Sequence, residues 1–403
     1  MIQLPLTPYS SHPHPFLGME RELIVDSKKL LDAGYLIVPE CIPPDRLESM
    51  RSHCEQMVER HKTWWAEQRT PDQPPGGEWE VGKQPRVLFD RVVDRQNHES
   101  VEFLFHENTY GISKQIMQTE DVVPTQFGMF CNPRIDHGPS DWHRDISPPM
   151  HGPVEAYYTD FLNNPPCYTQ WNIALYDDDV FWLVPGSHRR FNTAAENQQL
   201  SISEHAPIDG SIPIELRAGD GIVYLTPILH WGSNYSTKLR RTIQFAYRAF
   251  NNGSLTGAYV VHWPPDIVDR LPEHLAARFR HFGELLATEH DTMERMFRAM
   301  MARDDQTFLE GLAELHSGAV GRMSCVVQLS KVAKGPVLRT RGPVGSRFTQ
   351  EEANLLWQRF AEFDRLLQVD EPHLVPGFQC KEPTTYRFEE MPAMDVDEFI
   401  ASW

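Results

Sequence analysis

Asp141-Trp142-His143-Arg144-Asp145 is the stretch on which the reading of this 403-residue chain turns. On a strand, residues i and i+2 point to one face, so the His143 imidazole and the Asp145 carboxylate stand side by side. They supply two of the three ligands of a two-histidine, one-carboxylate triad, a donor set that suits non-heme Fe(II). Alone, H-x-D is a common accident in a chain with 18 histidines, and a surface histidine beside an aspartate reads the same way. His143-Arg144-Asp145 also spells the H-R-D of protein kinases. That motif needs an asparagine five residues after the aspartate, where Met150 stands, together with a glycine-rich loop and D-F-G, none of which is present.

Outward from this stretch, between about 120 and 250, lie short β-type runs separated by turn residues: TQFGMF, YTQWNIALYD, VFWLVP, GIVYLT and RRTIQFAYRAF. They predict an all-β core. A third ligand is due from a later strand, and His230, after the apolar run Ile222 to Leu225, is the candidate; a core or loop histidine is the equal alternative. Farther on, alternation puts Arg241 on one face with Ile243, Phe245 and Tyr247, and Arg240 on the other with Thr242, Gln244 and Arg248. Arg241 is therefore expected to point inward, where a guanidinium needs an anion and matches a carboxylate in two hydrogen bonds.

Helical patterns flank the core. DSKKLLDAGY (26–35) predicts a short helix closed by Gly34 and followed by the strand Tyr35–Val38. Pro43-Pro44 opens a second helix with Leu47, Met50, Cys54, Met57 and Val58 on one face. Residues 66–84 read as an exposed loop. Beyond 265, Leu271, Leu275, Phe279, Phe282 and Leu286 form one helical stripe and Met293, Met296, Phe297 and Met300 the next. MSCVVQLSKV reads as a strand, and Gln350 to about Leu367 as a last helix. The predicted organisation is 1–260 for the β domain with its N-terminal helices and 261–403 for a mostly helical extension packed on it.

Composition narrows the function. Thirty-eight basic against 56 acidic side chains leave a net charge of −18, which repels nucleic acid and anionic membranes. No apolar run is long enough to span a membrane, and MIQLPLTPYSSHPHPF lacks the features of a secretory signal. Six scattered cysteines without a C-x-x-C pair suggest neither a disulfide framework nor a zinc-thiolate site. A cytoplasmic protein, monomeric or homodimeric and acting on a small molecule, is the expectation.

Asp141 to Asp145, then Leu183-Val184-Pro185-Gly186-Ser187-His188, then Gly219-Asp220, then His230 through Asn234 and Ser236 to Arg241, occur in an order that resembles the phytanoyl-CoA hydroxylase-like family of Fe(II)/2-oxoglutarate dioxygenases. Gly34 to Pro39 resembles the family's opening strand, so the likeness covers roughly 25–250. The resemblance implies a double-stranded β-helix (jelly roll, cupin-like) with surrounding helices, Fe(II) on His143, Asp145 and His230, and 2-oxoglutarate on Arg241. Ser236 and Thr226 are candidate partners of Arg241, because the residue two past the distal histidine is Gly232 rather than a hydroxyl residue. His188 is a structural turn residue in such proteins. With O2, the implied chemistry converts 2-oxoglutarate to succinate and CO2 while a substrate C–H is hydroxylated. The retained Asp145 argues against halogenation, which in relatives accompanies loss of the carboxylate ligand.

Trp142, Arg144, Tyr157, Tyr158, Trp171, Asn172 and Trp231, near the ligands in sequence, are candidate substrate contacts. Gln170 shares the face of Asn172, and Arg86, Arg134 and Arg144 could meet an anion. Two other readings compete: desaturation, cyclisation or epimerisation with the same cofactors, and a non-catalytic jelly-roll binding module in which H-x-D is accidental.

Overall fold

The structure, a computed structural model, describes residues 25–146, 152–250, 265–318, 320–334, 342–378 and 382–403. The stretch MIQLPLTPYSSHPHPF and the junction expected at 260/261 lie outside the described residues. Helix α1 (Ser27–Ala33) is capped by Asp26, whose side chain accepts from the Lys29 N–H, and ends at Gly34 with φ 87°. A Cβ on Gly34 would lie 2.5 Å from His188 Nδ1, so the left-handed turn and the close approach both demand glycine. Strand β1 (Tyr35–Val38) follows. Helix α2 (Pro44–Gln68) buries Met50, Cys54, Met57 and Val58 on the expected face.

The remaining core strands are β2 (Arg86–Leu88), β3 (Val122–Cys131), β4 (Gly138–Pro139), β5 (Tyr168–Ala174), β6 (Asp178–Leu183), β7 (Ile212–Leu216), β8 (Gly221–Tyr224), β9 (His230–Trp231), β10 (Ser233–Asn234) and β11 (Arg241–Ala249). Six form an antiparallel sheet in the order β1-β8-β5-β11-β3-β2, three form a second sheet β7-β6-β9, and β10 pairs with β4. Side chains from both larger sheets line one cavity, so the sheets face each other as in a jelly roll.

β11 is buried along its whole length, on both faces. Ile243, Phe245 and Tyr247 belong to an apolar core shared with Met50, Cys54 and Met57 of α2. That core lies behind the sheet, and removing each such side chain from water stabilises the fold by roughly 1.5–3 kcal/mol. Gln244 and Asn172 face the cavity instead, paired across β11 and β5.

Helix α3 (Val154–Asn163) precedes β5. Farther along come α4 (Glu273–Ala302), α5 (Asp305–Leu315), α6 (Arg322–Ala333), α7 (Gln350–Leu366), a hairpin of β12 (Gln368–His373) and β13 (Thr384–Tyr386), and α8 (Val396–Ala401). Apart from Leu271, which precedes it, the two stripes predicted after 265 run along the single helix α4. Its first half joins the core behind the sheet through Leu275, Phe279 and Phe282, while Met296, Phe297 and Met300 join a separate C-terminal core. Midway, Glu289 pairs with the buried Arg248 of β11, with Arg248 Nη1 3.1 Å from Glu289 Oε1. MSCVVQLSKV is not a strand: it lies in α6, where Ser324 to Ser330 are all buried. A helix enclosed on every side has no polar stripe to reveal its period, and its valines imitate a strand.

Candidate active site

The ligands are placed by backbone pairing. His143 and His230 form an antiparallel bridge, with the His143 N–H donating to the His230 carbonyl at 2.9 Å and the His230 N–H donating back at 3.0 Å. Their rings stand 4.5 Å apart. Each Nδ1 faces a backbone carbonyl two residues upstream, Asp141 at 2.7 Å and Ile228 at 2.9 Å. A carbonyl can only accept, so Nδ1 carries the proton and Nε2 keeps its lone pair. Those Nε2 atoms lie 3.5 Å and 3.6 Å from the two Asp145 carboxylate oxygens. All three ligand atoms fall within 4.8 Å of one another. Burial, reinforced by the neighbouring His143, lowers the pKa of His230 to about 4, which keeps the ring neutral.

The triad opens into a cavity of about 580 Å3. The small sheet contributes Phe181 and His230, α3 contributes Tyr157 and Phe161, and the large sheet contributes a polar floor. That floor holds Gln126, Gln170, Asn172 and Gln244, with Tyr168 and Tyr224 beside them. Burial raises the Tyr168 pKa to about 12 and pushes Tyr224 well above its ordinary value, so both phenols stay protonated.

Arg241 does not reach this cavity. Its Nε lies 2.8 Å from Glu55 of α2 and its Nη1 donates to Asn132 Oδ1 at 3.0 Å, behind the sheet. Arg240 lines the cavity instead. Its Nε donates to Asp178 at 3.2 Å, and its buried Nη1 finds no acceptor among the described residues. Burial opposes ionisation of Asp178, yet Arg240 and Thr242 hold its carboxyl below the ordinary value. The alternation that separates the two arginines is as predicted; the choice of inner face was inverted. Both faces of β11 are covered: the apolar one packs on helices and the polar one lines the cavity.

Thr226 lines the cavity with a buried hydroxyl that has no partner among the described residues. Ser236 does not: its hydroxyl donates to Asp136 at 2.6 Å, outside the cavity. Of the candidate substrate contacts Asn172 and Tyr157 face in, as do Gln170 and Arg86, while Trp171 packs in the core behind the sheet. Trp142 and Trp231 stack at 4.8 Å in a cluster behind the ligands, because each neighbours an inward histidine and so points the opposite way. Arg144 is fully buried and donates to Asn192, to the Ser187 carbonyl and to the Pro227 carbonyl. It ties the V-P-G-S-H turn to the approach of His230. Tyr158 donates to the Arg190 carbonyl, while the adjacent Tyr157 lines the cavity. His188 Nε2 meets the Leu31 carbonyl at 2.9 Å, a structural contact. Gln84, Thr125, Gln126, Tyr168 and Tyr224 also line the cavity and carry no motif; inward position on a strand was the one available signal.

A jelly roll with a His-Asp-His triad beside a buried guanidinium defines the 2-oxoglutarate-dependent non-heme iron oxygenases. The donor set fits the metal: two neutral imidazoles with fixed tautomers and one carboxylate. The orphaned Arg240 Nη1 and Thr226 Oγ1 fit a carboxylate cosubstrate. The sequence model for phytanoyl-CoA dioxygenase (PhyH) matches residues 30–243, more than half of the chain, and the protein belongs to that family. It is accordingly an iron- and 2-oxoglutarate-dependent enzyme.

No curated protein matches the chain. Among solved structures, it resembles AviO1 from Streptomyces viridochromogenes Tue57 (19% identity, 56% of this chain and 94% of that one, TM-score 0.40). It also resembles EctD from S. alaskensis with 2-oxoglutarate and 5-hydroxyectoine (12%, 60% and 81%, TM-score 0.41). The alpha-ketoglutarate-dependent epimerase SnoN from nogalamycin biosynthesis is similar at 14% identity over 55% of this chain and 79% of its own, with TM-score 0.38.

Proposed function

We propose that the protein hydroxylates an unactivated C–H of a small molecule, with His143, Asp145 and His230 holding Fe(II) and Arg240 with Thr226 holding 2-oxoglutarate. The observation that carries this reading is the triad opening into a cavity whose polar atoms lack partners. Bound together, the metal and 2-oxoglutarate supply the activation of O2, with succinate and CO2 as co-products. The protein's own part is positional. His143 and His230 keep Nε2 free through their Nδ1–H bonds, Arg240 and Thr226 orient the cosubstrate carboxylate, and Phe181, Phe130 and Phe161 limit access of water.

An anaerobic titration tests it. Fe(II) with 2-oxoglutarate should give a visible charge-transfer band that His143→Ala removes, and oxygenation with substrate should release succinate. Absence of the band and of succinate in the wild-type protein would sink the proposal. Product analysis separates hydroxylation from desaturation, cyclisation or epimerisation.

The C-terminal helices belong in this proposal as part of one extended domain, supported by α4, which lies in both apolar cores. No helix among the described residues is long and apolar enough to cross a membrane. Cys41, Cys54, Cys131, Cys167 and Cys325 form no disulfide, in keeping with the reducing cytoplasm proposed as its compartment.

A further inference from the structure

Two guanidiniums share the cavity, and their situations differ. Arg240 has a protein carboxylate, Asp178, at 3.2 Å. Arg86, on β2, has no salt bridge among the described residues. Its Nη2 donates to Gln126 Oε1 at 3.1 Å and to Gln244 Oε1, both uncharged, and its Nε is buried without an acceptor. Burial pulls the Arg86 pKa below its ordinary value, a sign of how poorly the cation is compensated.

The strand register explains how it lies there. Arg86 is opposite Phe130 on β3, and two residues along that strand Gly128 is opposite Gln244. A Cβ on Gly128 would come within 3.4 Å of Arg86 Nε and 2.7 Å of the Val87 carbonyl. The missing side chain leaves the arginine room to run across the sheet to the two glutamines. Its guanidinium also lies 5.0 Å from the centre of the Phe130 ring, but a buried cation held by amide oxygens and a ring face, with no carboxylate paired to it, is costly unless a ligand supplies the anion. Beside it, Gln170 Oε1 and Asn172 Oδ1 are buried acceptors with no donor among the described residues. Residues lining the cavity therefore carry one buried charged donor and two buried acceptors without partners among the described residues, beyond the Arg240 and Thr226 atoms assigned to the cosubstrate.

We infer that Arg86 binds a carboxylate of the substrate and that Gln170 and Asn172 accept from its N–H or O–H groups, so that the substrate is a small amino- or hydroxy-acid rather than an apolar acyl chain. This deepens the oxygenase reading and rests on it for the assignment of Arg240 to the cosubstrate. An apolar chain would bury all three orphaned atoms without partners, each at a cost of about 1–3 kcal/mol.

The test uses wild-type protein, Arg86→Gln, Arg86→Lys and Arg240→Gln, each loaded anaerobically with Fe(II) and 2-oxoglutarate. The probes are the proteinogenic amino acids, the 2-hydroxy acids glycolate, lactate and malate, the amino-acid methyl esters, and octanoate. Binding is read from perturbation of the charge-transfer band and from thermal shift. At least one free amino- or hydroxy-acid should bind, and the methyl ester of any amino acid that binds should do so about tenfold or more weakly, as should octanoate. Arg86→Gln should weaken the same probe by a similar factor and Arg86→Lys by less, while both keep the 2-oxoglutarate band that Arg240→Gln loses. Esters or octanoate binding as well as the free acids, no acid binding at all, or Arg86→Gln losing the 2-oxoglutarate band in place of Arg240→Gln would overturn the inference. If wild type shows no band, it is the oxygenase reading that fails, and the thermal-shift series still decides whether Arg86 recognises a carboxylate.

Discussion

The two faces of β11 are equally dry and do opposite work. On one, Ile243, Phe245 and Tyr247 pack on helices behind the sheet, and Arg241 there pairs with Glu55. On the other, Gln244 lines the cavity, Arg240 just before the strand reaches Asp178, and Arg248 pairs with Glu289. Adjacent arginines thus meet different fates, one packed behind the sheet and one at the cavity. Burial alone does not tell the faces apart; what does is which of them lines the cavity. Arg241 Nη1 and Nη2 have protein acceptors and its buried Nε lies 2.8 Å from Glu55 behind the sheet, whereas Arg240 lines the cavity and its Nη1 has no acceptor among the described residues.

The comparison breaks hardest at the metal. His143→Ala should abolish tight Fe(II) binding, measured by metal content after dialysis, and leave the far-UV spectrum intact because the backbone bridge to His230 does not need the ring. Next in size is Arg248→Ala. Removing one partner of a buried pair should lower unfolding stability by about 3–5 kcal/mol in denaturant titration. A loss under about 1 kcal/mol would mean that the link from β11 to α4 is not a structural one.

Arg240 against Arg241 is the sharpest contrast. Arg240→Gln should weaken 2-oxoglutarate binding by about tenfold to a hundredfold, the worth of a charge-assisted hydrogen bond. Arg241→Gln should leave it nearly unchanged and cost only a modest amount of stability, since Glu55 is 38% exposed on its side chain. The reverse outcome would restore Arg241 to the cavity.

The smallest effect concerns pH. Burial lowers His61 of α2 and His188 to a pKa of about 4, against about 6.5 in an unfolded chain. Below pH 6.5 the unfolded state takes up protons that the folded state refuses, so stability is complete above that value and declines as pH falls toward 4. The melting temperature of metal-free protein should drop between pH 7 and pH 5. Both ring nitrogens of His61 lack a partner among the described residues, so His61→Leu should flatten that slope.

The metal triad was legible in the sequence because two ligands lie two residues apart on one chain segment and the third follows a recognisable apolar strand. The main β-type runs and the flanking helices α1, α2 and α7 were legible for the same reason: local periodicity carries them, though not the order in which the strands pair. Which side of β11 faces the cavity was not legible, since alternation separates a polar from an apolar face without saying that helices α2 and α4 cover the apolar one. Trp142, Arg144 and Trp231 failed as substrate contacts through a simpler rule, that neighbours of an inward ligand point outward. Arg86, Gln170 and Asn172 were legible as candidates one by one; that Arg86 meets Gln126 and Gln244 follows only from laying β2, β3, β11 and β5 side by side.

The bridge between His143 and His230 has a last consequence, in chain statistics. These ligands are 87 positions apart, and gathering them in an unfolded chain means closing a loop at an entropic cost of about 4–5 kcal/mol. The folded barrel has closed that loop already with two backbone hydrogen bonds. A cation therefore finds its ligands assembled only in the native state, and by linkage the same cation shifts the folding equilibrium toward it. Metal loading should raise the melting temperature, and chelation should reverse the rise.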